Sequence, residues 1–187
     1  PHMLPKEDVW NEIVSKLGIS KKDQIIIYDN SNVNSACRCW YNFIYFGHDP
    51  KLVSVLDGGF KKWKKENKQI SNKITNLSKT NYLSKELNTL VKDKNKIEVN
   101  INKNEFIVVD ARSRERFEGK VPDPRKNVRS GSIPNSVCLP FVNVLKDDNS
   151  FKNVEELKNM FDKTLINSTD KPVFSCGSGV TACVLAL

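Results

Sequence analysis

Apolar positions along the chain fall into short blocks, and the period changes from one block to the next. Val9, Trp10, Ile13, Val14 and Leu17 recur at helical spacing between Pro5 and Gly18, which predicts a first helix with a proline near its start and a glycine stop. Ile25-Ile26-Ile27-Tyr28 is a continuous β-branched run closed by Asp29-Asn30-Ser31-Asn32, and it predicts a strand buried on both faces followed by a loop. Ala36, Trp40, Phe43 and Ile44 return to helical spacing as far as Gly47. Val53-Ser54-Val55-Leu56 is a second short strand, and Asp57-Gly58-Gly59 breaks it before a short helix carrying Phe60 and Trp63. Strands alternating with helices in this way imply a parallel sheet flanked by helices, with sites gathered at the carboxyl ends of the strands.

From about Ile70 to Asn104 the pattern loosens into Asn, Lys, Ser and Thr with scattered apolar residues, which predicts an interdomain connection. A second series then begins with Phe106-Ile107-Val108-Val109, a buried strand ending at Asp110, and a shorter one at Val137-Cys138-Leu139 before Pro140. Asn153 is placed to cap a helix carrying Val154, Leu157 and Phe161. Pro172-Val173-Phe174-Ser175 leads into Cys176, and Val180, Cys183, Val184 and Leu187 have helical spacing again. That last apolar helix reaches the final residue without a cap, so the chain is expected to be incomplete as given.

Composition changes the picture only locally. The 187 residues are 39% hydrophobic and 28% charged, enough for one compact core or two small ones, and no apolar run approaches the ~18 residues of a spanning helix. The net charge of +8 is regional: residues 61–126 hold 18 Lys or Arg against 9 Asp or Glu, and the rest of the chain holds 12 against 13. Part of the excess lies in the Lys/Asn-rich stretch 92–104, which reads as a solvated connection and not as a nucleic-acid face. Neither nucleic acid nor a membrane is therefore expected as a partner. The five cysteines, Cys37, Cys39, Cys138, Cys176 and Cys183, show no CxxC spacing and few histidines accompany them, so zinc is not expected. Their odd number points to free thiols in a reducing intracellular compartment, cytoplasmic or mitochondrial.

Cys176 is the candidate for chemistry. A strand that delivers a cysteine into Gly177-Ser178-Gly179-Val180-Thr181 and then a helix sets the sulfur over unpaired backbone amides, which favour thiolate over thiol. The glycines let the backbone come close to the sulfur. The alternative at this point is a buried strand-end cysteine beside a glycine-rich turn.

Cys176-Gly177-Ser178-Gly179-Val180-Thr181 followed by Ala182-Cys183 resembles the active-site loop of the two-domain rhodanese-type sulfurtransferases, and specifically of their 3-mercaptopyruvate branch. Leu4-Pro5, Leu17-Gly18-Ile19, Ile26-Ile27-Tyr28-Asp29, Arg38-Cys39-Trp40, Phe46-Gly47-His48, Leu56-Asp57-Gly58-Gly59-Phe60 with Trp63, and Val109-Asp110-Ala111-Arg112 look like landmarks of the same family in the same order. The resemblance implies tandem α/β rhodanese-like domains, each a parallel sheet flanked by helices. Residues 1–69 would be the C-terminal part of a non-catalytic domain, 70–104 a linker, and 105–187 the N-terminal part of the catalytic domain. It implies a Cys176 persulfide that carries sulfur from 3-mercaptopyruvate to a thiol acceptor such as thioredoxin, or to cyanide, without a metal or organic cofactor. A thiosulfate sulfurtransferase and a non-catalytic binding module are the alternatives.

The resemblance also assigns roles. Arg116 and Arg125 match the two arginines that grip the donor, the alternative being solvated surface charge; Arg112, Arg114 and Arg129 are weaker candidates. Gly177, Gly179, Val180 and Thr181 complete the substrate loop. Ser178 stands where thiosulfate-preferring relatives carry positive side chains, and it would relay a proton together with a histidine whose motif His2-Met3-Leu4-Pro5 matches, unless Pro1-His2-Met3 is a remnant of cloning. Asp29 ends the strand of the first domain where a catalytic domain has its cysteine, and it is expected to cap a loop. Ser132 replaces a usual histidine, and His48 reads as a packing residue and not as a base. Related cysteine phosphatases place an arginine six residues after the nucleophile, where this chain has Ala182.

Overall fold

A computed structural model describes residues 2–164 and 171–187, and the chain divides into two compact units, the first extending to Val91 and the second spanning Lys92–Ala186.

In the first unit, α1 (Glu7–Lys16) begins with Glu7 and Asp8 and ends with Lys16, charges that complement its dipole. Gly18, at φ +74°, reverses the chain after it, and Gly18 and Ile19 donate backbone N–H to Ser15 O and Val14 O. The stripe expected to be buried is split. Trp10 and Val14 face the core, whereas Val9, Ile13 and Leu17 are exposed. β1 (Ile25–Ile27) and β2 (Val53–Val55) pair in parallel, Ile25 against Val53, and α2 (Asn34–Tyr45) lies between them in the chain. β1 was expected to be covered on both faces. Ile26 is instead 61% exposed, because this sheet has two strands and α1 and α2 supply Trp10, Val14 and Phe43 to the side on which Ile25 is buried. After β2, α3 (Gly59–Lys65) starts on Gly59 at φ +60°, where an added Cβ would lie 2.9 Å from the Asp29 carbonyl oxygen. Only glycine allows that approach.

The core of this unit is aromatic. Trp10 stacks on Phe46 with ring centroids 5.0 Å apart and meets Phe43 edge-on at 4.9 Å. Tyr82 completes it and is almost wholly buried. The connection expected over 70–104 holds ordered contacts from Thr80 to Leu87. The segment around Tyr82 is strapped to the first unit: Thr80 N–H donates to Ser15 O, Tyr82 N–H to Ser15 Oγ, and Leu87 N–H to Tyr45 O. An extended strap with one aromatic anchor has neither helical nor strand periodicity, which is why its composition reads as linker. His48 is buried against the same strap. Its Nε2 donates to Asp23 O at 3.1 Å, so Nδ1 accepts from the Tyr82 hydroxyl at 3.0 Å. This is the packing role expected for His48.

In the second unit α4 (Lys94–Lys103) occupies residues also read as linker. Asp93 caps it by accepting from Lys96 N–H at 2.8 Å, Asn104 ends it at φ +51°, and its buried Asn100 amide brackets the backbone of Phe106. Its low apolar content hid it. β3 (Ile107–Asp110) is central, with β4 (Val137–Cys138) and β5 (Pro172–Ser175) in parallel on either side. α5 (Arg114–Phe117) starts on a Ser113 cap. Asn153 and Glu156 cap the start of α6 (Val154–Thr164) reciprocally, the Asn153 side chain accepting from Glu156 N–H and the Glu156 carboxylate from Asn153 N–H. α7 (Ala182–Ala186) buries Ala182 to Leu185.

Burial pushes the His48 imidazole below its ordinary value. A group whose proton affinity is lower folded than unfolded contributes stability that is fully present above its unfolded value, about 6.5, and is lost as pH falls from there through the lower folded value. The thermal midpoint should therefore drop between pH 7.5 and pH 5.5, and His48→Gln should flatten that dependence while lowering the midpoint at pH 7.5. An equal slope in the variant would contradict this account.

Candidate active site

The parallel order of β4, β3 and β5 brings Asp110, Cys138 and Cys176 to the carboxyl end of one sheet. β5 ends at Ser175, whose carbonyl accepts from Ala111 N–H at 2.8 Å, and the next residue is Cys176. The loop curls beneath its sulfur: Gly179 N–H donates to Sγ at 3.0 Å and Ser178 N–H at 3.5 Å. Gly179 reaches this geometry at φ +75°, in the left-handed region. Burial alone would push the thiol up. The Thr181 hydroxyl and the amides of Ser178, Ala182 and Gly179 outweigh burial and hold the Cys176 thiol below its ordinary value. By contrast, burial pushes the thiols of Cys39 and Cys138 up. Cys183 is buried and donates to Gly179 O at 2.9 Å.

A second group of side chains abuts the loop. Arg116 Nη2 donates to Asp123 Oδ2 at 2.7 Å, and Arg125 Nε to Asp123 Oδ1 at 3.1 Å. Arg125 also donates through Nη1 to Gly177 O. A Cβ on Gly177 would lie in ordinary contact with Arg116 Nη2 at 3.4 Å and with Arg125 Nη2 at 3.5 Å, so both guanidinium groups lie against the loop at this glycine. Arg112 is committed elsewhere: it grips both Asp110 oxygens and Gly131 O. Arg114 donates to Cys138 O, and Arg129 is exposed.

Of the residues singled out in the sequence, Cys176, Gly177, Gly179, Arg116 and Arg125 come together here. Thr181, expected in the substrate loop, has its hydroxyl on the Cys176 sulfur. Ser178 is exposed, with its amide on the sulfur, and Val180 O accepts from Cys183 N–H. His2 belongs to the first unit, where it is exposed and its carbonyl accepts from Arg38 Nη2 at 3.0 Å. Asp123 was not foreseen. Its signal was an acid locked between two prolines and lying between Arg116 and Arg125 in the chain.

The first unit repeats the loop with another anion in it. Asp29, just beyond β1 as Cys176 is just beyond β5, accepts from Ser31 N–H at 2.9 Å, Val33 N–H at 3.2 Å and Ala36 N–H at 2.9 Å. Burial opposes the charge, and these amides hold the carboxyl below its ordinary value. Asp29 is the loop cap expected of it.

A parallel α/β unit that seats a cysteine with a lowered thiol in a loop of amides, beside two arginines, offers a sulfur nucleophile next to positive charge. A model of the rhodanese-like domain matches residues 2–66. The chain is 36% identical, over its whole length, both to "Thiosulfate/3-mercaptopyruvate sulfurtransferase 1, mitochondrial" of Arabidopsis thaliana, of which it covers 54%, and to 3-mercaptopyruvate sulfurtransferase of Mus musculus, of which it covers 63%. It superposes on the sulfur transferase subunit of yeast mitochondrial complex I with a TM-score of 0.83 at 31% identity, covering 100% of this chain and 67% of that one. The chain belongs to the rhodanese family. It spans between half and two thirds of the length of those two curated relatives.

The lowered thiol makes Cys176 the cysteine that neutral iodoacetamide should modify fastest at pH 7. Thr181→Val should slow that modification by about tenfold, the value of one hydrogen bond to a charged group. Peptide mapping that finds Cys39 or Cys138 modified first would contradict the assignment.

Proposed function

We propose that the protein is a sulfurtransferase that takes sulfur from 3-mercaptopyruvate. The observation that carries this reading is the Cys176 sulfur held by Gly179 N–H beside two guanidinium groups, a nucleophile next to a site for a carboxylate. The Cys176 thiolate attacks the donor's thiol sulfur. An S–S bond forms and the donor C–S bond breaks, and the departing carbon takes the proton released from the donor thiol, giving pyruvate and a Cys176 persulfide. A thiolate acceptor then takes the outer sulfur and regenerates the Cys176 thiolate; cyanide would leave as thiocyanate. A protein thiol such as that of thioredoxin has the required chemistry; a cytoplasmic or mitochondrial setting fits the reducing chemistry, and the Arabidopsis relative is named as mitochondrial.

Arg116 and Arg125 bind the donor carboxylate by charge-assisted hydrogen bonds, with Gly177, Gly179 and Val180 shaping the loop around it. Ser178 passes the proton toward the leaving carbon. No helix among the described residues is long and apolar enough to cross a membrane. Thiosulfate is the second donor to consider, because the Arabidopsis relative's name carries both.

Pyruvate release from 3-mercaptopyruvate and sulfite release from thiosulfate, each with cyanide as acceptor, test the reading. The ratio of kcat/KM should favour 3-mercaptopyruvate, and Cys176→Ser should abolish both. Arg116→Ala should lower kcat/KM for 3-mercaptopyruvate by about tenfold or more, and Arg125→Ala by less, because the Arg125 side chain is half exposed. Ser178→Lys should move the ratio toward the dianion thiosulfate by about fivefold, the effect of one partly screened charge. A ratio that stays fixed in Ser178→Lys would remove loop charge as the selector, and a native preference for thiosulfate would overturn the donor assignment.

A further inference from the structure

The two arginines carry like charge and lie against the same glycine, so something must hold them together. Asp123 is placed to do so. It sits in Pro122-Asp123-Pro124, where the preceding ring stiffens the chain and the following one confines Asp123 to extended backbone. Its side chain is 1% exposed. One oxygen accepts from Arg116 Nη2, and the other accepts from Arg125 Nε and from Arg125 backbone N–H, at 3.1 and 3.0 Å. Arg112 Nη1 stands 3.8 Å away, but its guanidinium already pairs with Asp110. Two positive groups and one negative group leave a single positive charge against the Cys176 loop. Arg116 Nε is buried and has no partner among the described residues, a donor left over after Asp123 is satisfied.

We propose that Asp123 is the positioning residue that locks Arg116 and Arg125 into one fork beside Gly177, with a net charge that matches one donor carboxylate. This rests on the sulfur-transfer reading of the same site. Asp123 does not touch the donor: both its oxygens are taken and it lies beneath the arginines. The hydrogen bonds from Arg125 and Arg116 hold its carboxyl far below the usual carboxylate range, so the fork keeps its counter-charge across the working pH range.

The test is protection of Cys176 from iodoacetamide by pyruvate in the purified protein, compared in wild type, Asp123→Asn, Asp123→Glu, Arg116→Ala and Arg125→Ala. Asp123→Asn should raise the half-protecting pyruvate concentration by about tenfold, the loss of one charge-assisted contact's worth of order. Asp123→Glu, which keeps the charge and displaces it by one methylene, should shift it by an intermediate factor of about three. Alkylation without pyruvate should stay at the wild-type rate in Asp123→Glu, which keeps the charge, a readout that collapse of the loop would change. Wild-type protection in the Asp123 variants, with weakened protection in the arginine variants, overturns the positioning role and leaves the proposed function standing. Should Asp123→Asn fail to fold, wild-type protection in Asp123→Glu alone overturns it. Unchanged protection in the arginine variants as well overturns the carboxylate fork itself, and the role of Asp123 with it.

Discussion

The site depends on one local constraint: the peptide groups after β5 turn their N–H bonds toward the Cys176 sulfur. A buried thiol without partners resists ionisation, as burial does to Cys39, and the loop reverses that sign at Cys176 with backbone donors and the Thr181 hydroxyl. The backbone can do this because Gly179 takes a left-handed conformation and Cys183, one turn further on, accepts the restraint of donating to Gly179 O. The same solution holds a carboxylate at Asp29 in the first unit. A permanent anion there satisfies the amides and offers no sulfur for transfer, so two loops of one kind differ in chemistry through the residue at the strand end.

Charge around the thiolate is arranged in layers. Arg112 and Asp110 neutralise each other at the end of β3, while Arg116 and Arg125 share Asp123 and keep a surplus of one positive charge. A thiolate and a second anion must approach each other for the reaction proposed, and this surplus offsets their repulsion. Gly177 belongs to the same arrangement. Both guanidinium groups come within contact distance of the position a Cβ on Gly177 would take.

Much of this was legible because strand and helix periods are local. The runs ending at Asp29, Asp110 and Cys176 announced parallel strands with polar residues at their carboxyl ends, and Gly18 and Asn153 announced helix termini. What sequence pattern could not show was anything carried by a single anchor. Tyr82 holds an extended strap that has no period, and α4 is a helix with too few apolar residues to mark a face. In α1 the apolar stripe is wider than the surface it buries, so Val9 and Ile13 are exposed although their spacing matches the core residues. Asp123 was hidden for a different reason. Its role comes from partners on both sides of a proline-stiffened turn, and pairwise geometry of that kind is absent from spacing.

In the proposed reaction Cys176 is the nucleophile that accepts sulfur. The most direct measurement is mass spectrometry of the protein after brief exposure to 3-mercaptopyruvate without an acceptor, followed by peptide mapping. The account predicts a single added sulfur on the peptide containing Cys176, removed when a thiol acceptor is supplied. Sulfur added to Cys138 or Cys183, or none on Cys176, would contradict it.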